Sequence, residues 1–198
     1  MTSVDFYREH QILQPADLLS WIGQNILFGW RDRAGLIHHS VNNPETYSLQ
    51  TPTELLVSHV GICWDVAELM RDWFAAMTDF QVQTYYIFYD DSAGCPSHTA
   101  LTFRHNNHIC WIEPPYSGAA LPFNGIHNYG DEADFAHAFQ DHVLKCFQAF
   151  RYLPNNYDVR NFRLYAYSKP PAHINGHAMR NHIETGRPVP INFGQNHI

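Results

Sequence analysis

The sequence reads as one globular domain of mixed helices and strands, and three observations carry that expectation. Behind Cys63 the apolar residues Val66, Ala67, Met70, Phe74 and Met77 recur at helical spacing. From Val82 to Tyr89 the period falls to two in an aromatic, β-branched run, which is strand chemistry. His98 to Arg104 and Ile109 to Glu113 look like two further strands joined at His105-Asn106-Asn107-His108, with asparagines where a tight hairpin turn tolerates them.

In chain order, residues 1–14 read as a mixed lead-in. Pro15-Ala16-Asp17 opens a helix to about Phe28, with Leu18, Leu19, Ile22 and Ile26 on its apolar side and Pro15 suited to the first turn. A polar, turn-rich loop then runs from Phe28-Gly29-Trp30 to Asn43-Pro44. Thr51-Pro52-Thr53-Glu54 begins a short helix with a capping box, which feeds into the Cys63 helix. There Asp65, Glu68 and Asp72 fall off the apolar stripe, so one buried face is expected. Asp90 to Pro96 is a loop, and Gly125-Ile126-His127 precedes a long helix from Asp131 to about Phe150. Phe135, Ala138, Phe139, Val143, Cys146 and Phe150 are its inward residues. Phe162 to Tyr167 is a short strand stopped by Lys169-Pro170-Pro171. Asn175 to Thr185 is a last helix ended at Gly186, and 187–198 form an ordered arm or a loose tail.

Composition narrows the function classes. With 198 residues, 45% hydrophobic and 16% charged, the chain can bury a sizeable core, and no repeat or low-complexity linker divides it. One domain over 1–198 is expected, its core about 17–186. A formal charge of −7 argues against nucleic acid or anionic membrane as a partner. No apolar run approaches the ~18 residues of a membrane span. The first ten residues lack the basic start and apolar core of a secretory signal. A cytoplasmic setting and free thiols at Cys63, Cys95, Cys110 and Cys146 are therefore expected.

Gly61-Ile62-Cys63-Trp64-Asp65 puts a thiol on the first turn of a helix, facing unpaired backbone N–H groups and the positive end of the dipole. Both favour thiolate, of which a free cysteine at pKa about 8.5 supplies only a little at neutral pH. A half-buried cysteine packing as a small hydrophobe fits the same pentapeptide. A nucleophile also needs a base, and the base a third group to orient it. If Asn106-Asn107 is a two-residue turn, His105 pairs with His108 and His98 falls opposite Pro115. Glu113 is then the diagonal neighbour of His98 on the same face, whereas a one-residue slip would separate them. The same stretch also offers metal ligands, Cys95-x-x-His98 and His105-x-x-His108. On a hairpin, however, His105 and His108 lie roughly 20 Å from His98.

Gly61-x-Cys63-Trp64-Asp65, the strand starting at His98 and Trp111-Ile112-Glu113 together resemble the transglutaminase-like superfamily of thiol enzymes. The resemblance is nearest to small bacterial and phage proteins carrying this domain. It extends through Trp30 and Leu49 to Leu56 upstream, and through Gly125-Ile126-His127 and Tyr165-x-Tyr167-x-Lys169-Pro170 downstream. It implies a papain-like α+β fold, helices packed on an antiparallel sheet, with a Cys63–His98–Glu113 triad. Glu113 stands where that superfamily more commonly has aspartate.

The expected activity is acyl transfer from an amide or peptide bond through a thioester, with hydrolysis favoured over amine crosslinking. A protein or peptide is the substrate, and no cofactor is required. The backbone N–H of Cys63 is the natural first oxyanion donor. Gln50 and Trp30 are candidates for the second, Gln50 slightly ahead. Alternatives are a non-catalytic peptide-binding module that keeps the fold, or a zinc site at Cys95, His98, His105 and His108.

Overall fold

A computed structural model describes residues 2–32, 34–39, 44–90, 96–115 and 123–191. The lead-in holds a helix, α1 (Ser3–Glu9), whose N-cap Thr2 and Asp5 form a capping box. Helix α2 (Pro15–Asn25) ends sooner than its apolar spacing suggests, because Leu27–Phe28 (β1) leaves to pair with another segment. The loop that follows contains a small hairpin, β2 (Trp30–Arg31) with β3 (Ile37–His38). Helix α3 (Pro52–Ser58) carries the expected Thr51–Glu54 capping box. Val60–Gly61 (β4) runs parallel to β1 and delivers the chain to α4 (Cys63–Met77).

Strands β5 (Val82–Tyr89), β6 (Ser97–His105) and β7 (His108–Glu113) follow the expected pattern. Asn106 and Asn107 both take positive φ, 49° and 63°, the geometry of a two-residue hairpin turn, and His105 pairs with His108. Gly125–Tyr129 forms a strand, β8, before α5 (Glu132–Ala149). The chain closes with β9 (Phe162–Tyr167), α6 (Gly176–Glu184) and β10 (Arg187–Pro188). Residues 192–198 of the expected arm lie outside the described residues.

Six strands form one antiparallel sheet in the order β10-β9-β5-β6-β7-β8. The fold is thus α+β. On one face Tyr86, Phe88, Leu101, Phe103 and Ile112 pack with residues of α1, α2, α4 and α6. On the other, Tyr85, Ile87, Ala100 and Trp111 pack with Phe135, Phe139 and Val143 of α5. Both faces are covered, which is why β5 is apolar on alternate and intervening positions alike.

Two burial expectations change. Asp65 and Glu68 are buried rather than solvated, and Asp72 accepts a hydrogen bond from the Tyr7 hydroxyl at 3.0 Å. Helix α4 lies between the sheet and the helices α1 and α3, so its polar side is covered as well. On α5 the last inward position is Phe147; Phe150, at the C-cap, is exposed and stacks on Tyr152.

Candidate active site

The cysteine is placed by the β4–α4 elbow. Cys63 is the first residue of α4 and 9% exposed. Gly61 makes the approach possible by its size, since a Cβ there would lie 2.7 Å from Leu55 Cδ1 and 3.1 Å from Asp65 Cβ. The elbow is closed by Asp65, whose Oδ2 accepts the Ile62 N–H at 3.0 Å. Its Oδ1 accepts the Tyr47 hydroxyl and the Gln50 N–H, each at 2.9 Å. Burial pushes the Asp65 carboxyl up to about 6, against the pull of those three hydrogen bonds.

The imidazole and carboxylate come from the hairpin, in the register that places them on one face. The ladder pairs Leu101 with Ile112, so Ala100 stands opposite Glu113 and His98 is its diagonal neighbour. His98 Nε2 lies 2.8 Å from Glu113 Oε1, and Trp111 Nε1 donates to Oε2 at 3.1 Å. Glu113 is fully buried, with a partner on each oxygen. Cys63 is also close enough to the His98 ring to favour its charged form. The start of α4 and the β6–β7 hairpin are thus brought together at these side chains. Cys63 belongs to the α4 side of the sheet, while the His98 ring stands 6.0 Å from Phe139 of α5.

Burial works against a charged His98. The Glu113 carboxylate and the hydrogen bonds to Cys63 and Glu113 outweigh it, and the imidazole is pushed up from 6.5 to about 10. At neutral pH the ring is an imidazolium. Because the folded-state value is the higher one, the stability it contributes is present below pH 6.5 and is lost as pH rises through about 10. Urea-denaturation midpoints of wild type and His98→Gln should differ most near pH 6 and converge above pH 10. At about 1.4 kcal/mol per pKa unit the gap at low pH is a few kcal/mol, and a gap independent of pH would contradict this picture.

A second thiol–imidazole contact has the opposite electrostatics. Cys146 Sγ lies 3.6 Å from His142 Nε2 on α5. Burial pulls His142 down to about 4 and pushes the Cys146 thiol up, so both members are neutral. Burial also raises the Cys110 thiol.

The remaining candidates divide. The Gln50 amide is committed: Nε2 donates to Val60 O at 2.8 Å and Oε1 accepts from Ser58 at 2.7 Å. It braces the elbow, which counts against it as the oxyanion donor. Trp30 is buried, stacked on His38 at 4.6 Å and edge-on to Tyr47 at 6.0 Å. Both line a cleft of about 510 Å³ whose walls include Arg31, Glu54 and His173, and which Cys63 itself does not line. Of the zinc alternative, Cys95 lies outside the described residues, while His105 and His108 sit at the hairpin tip, far along β6 from His98. Among the described residues no group of three or more His, Cys, Asp or Glu side chains could share a metal ion. Nor is any described helix long and apolar enough to cross a membrane.

Asp65, Tyr47 and Trp111 were not among the residues expected to serve the site. The usable signal for Asp65 was its place three residues after Ile62, where a carboxylate can reach back to an N-cap amide. The chain matches no known family model and no curated protein, so its own geometry carries the functional reading.

Proposed function

We propose that this chain is a cysteine-nucleophile acyl-transfer enzyme acting on amide or peptide bonds, with a papain-like core of the transglutaminase-like kind. The supporting observation is the His98 imidazole, held by buried Glu113 at 2.8 Å and close to a cysteine at a helix start. Cys63 sulfur attacks the carbonyl carbon, forming the C–S bond of a tetrahedral adduct. The developing oxyanion is met by the Cys63 N–H. His98 passes its proton to the nitrogen as the C–N bond breaks, leaving a thioester and a free amine. Water then attacks the thioester with His98 as base, releasing the acid and the thiol; an amine in place of water would give transamidation. Glu113 keeps the ring oriented and steadies its positive charge throughout.

The 510 Å³ cleft favours a second reading, a peptide-binding module without chemistry. A thiol-directed alkylating probe at neutral pH, followed by peptide mapping, separates the two. On the enzyme reading Cys63, at a helix start beside His98, reacts far faster than Cys110 and Cys146, whose thiols burial pushes up. Equal rates at the three positions would leave the binding module standing.

A further inference from the structure

We propose that Asp65 is a positioning residue for acyl transfer. On this proposal its buried carboxylate fastens residues 47–50 to the β4–α4 elbow and so sets how the Cys63 N–H is presented to the oxyanion. This rests on the thiol-enzyme reading above and deepens it.

Asp65 is 1% exposed, yet its carboxylate is filled by three donors from two separate segments, Tyr47 and Gln50 on one side and Ile62 on the other. A buried carboxylate is costly unless satisfied, and this one is satisfied only while the two segments keep their present arrangement. The bond to Ile62 fixes the turn that presents the Cys63 N–H. The bond to Tyr47 fixes a ring that stands edge-on to Trp30 at 6.0 Å and tilted against Trp64 at 5.5 Å. Through Gln50, Asp65 holds the amide that is tied in turn to Val60. Asp65 has no hydrogen bond to Cys63, His98 or Glu113, so it acts through others. On its far side the segment is anchored independently, by backbone hydrogen bonds between Leu49 and both His173 and Ile174. Loosening Asp65 should therefore displace the Cys63 N–H locally rather than unfold the segment.

Amide turnover and simple alkylation separate this role from a merely structural one. Displacement of iodide from iodoacetamide by the sulfur builds no oxyanion, whereas attack on an amide does. Asp65→Asn puts an NH2 group against one of three N–H or O–H donors. Tyr47→Phe removes one donor and keeps the ring, a milder variant that serves if Asp65→Asn folds poorly. In folded protein, each should lower kcat by about 10- to 100-fold. KM should change little, and the Cys63 alkylation rate should stay within a few-fold of wild type. Asp65→Glu should recover less than wild-type activity, because the longer side chain shifts the elbow. If kcat falls only in step with alkylation, or does not fall in either variant, Asp65 is a structural cap and the proposal is overturned. Fast alkylation of wild-type Cys63 without any amide turnover overturns the enzyme reading itself, and the proposal with it.

Discussion

Replacing Cys63 by alanine should abolish amide turnover, by about four to six orders of magnitude, while leaving the fold in place. No other described thiol can take over: Cys110 faces the core from β7, and Cys146 sits on α5 beside a neutral His142. Without the sulfur there is no thioester, and an oxyanion site with an imidazolium but no nucleophile retains only weak assistance to water. The structural loss is small, because Cys63 is a small, 9% exposed side chain; removing one sulfur from such a site costs about 1 kcal/mol. Thermal melting should therefore show a nearly native transition while both probe labelling and activity vanish. Retained turnover in Cys63→Ala, lost instead on mutating Cys95 or Cys110, would move the nucleophile elsewhere.

Glu113→Gln is expected to have the next largest effect. The carboxylate accepts from both His98 and Trp111, and a carboxamide has only one acceptor oxygen. Whichever way the amide turns, its NH2 faces one of those donors. The larger loss is electrostatic. The carboxylate charge is the leading favourable influence on the His98 imidazolium, and without it burial draws the ring back towards neutrality. A neutral imidazole neither supports a thiolate nor protonates a leaving amine, so kcat/KM should drop by about 100- to 10,000-fold. Stability should fall by about 1–3 kcal/mol, the cost of a buried donor left unpaired. The pH profile of Cys63 alkylation is the diagnostic measurement. In Glu113→Gln the reactive form should emerge at higher pH than in wild type, and an unchanged profile would show that Glu113 has no hold on the pair.

Where the chain's local chemistry and its tertiary surroundings agree, the sequence was readable. The hairpin is the best case. Two asparagines that tolerate positive φ set the turn, the turn sets the register, and the register puts His98 beside Glu113. Helix α5 and strands β5 and β9 were legible for the same reason. What escaped depended on partners distant in sequence. The two-residue strands β1, β4 and β10 exist because another backbone is presented to them, not because of their own composition. Asp65 and Glu68 lie off the apolar stripe of α4 and are buried nonetheless, because Tyr47 and Gln50 close over Asp65 and Arg71 pairs with Glu68. Gln50 has the right chemistry for an oxyanion donor, but Val60 and Ser58 claim its amide. Helix α1 was within reach, since Thr2-x-x-Asp5 is a capping signature, but the segment is only seven residues long.

The site draws its members from opposite sides of one sheet, and this bears on how the protein comes to be armed. His98 and Glu113 sit on a hairpin of short sequence separation, so they can meet early in folding. The sulfur joins them only where α4 packs against β6. A chain in which α4 has not packed against the hairpin thus lacks the assembled Cys63–His98 pair. Reactivity towards a mild electrophile then becomes a clock for the last assembly step, readable in a refolding experiment without any substrate.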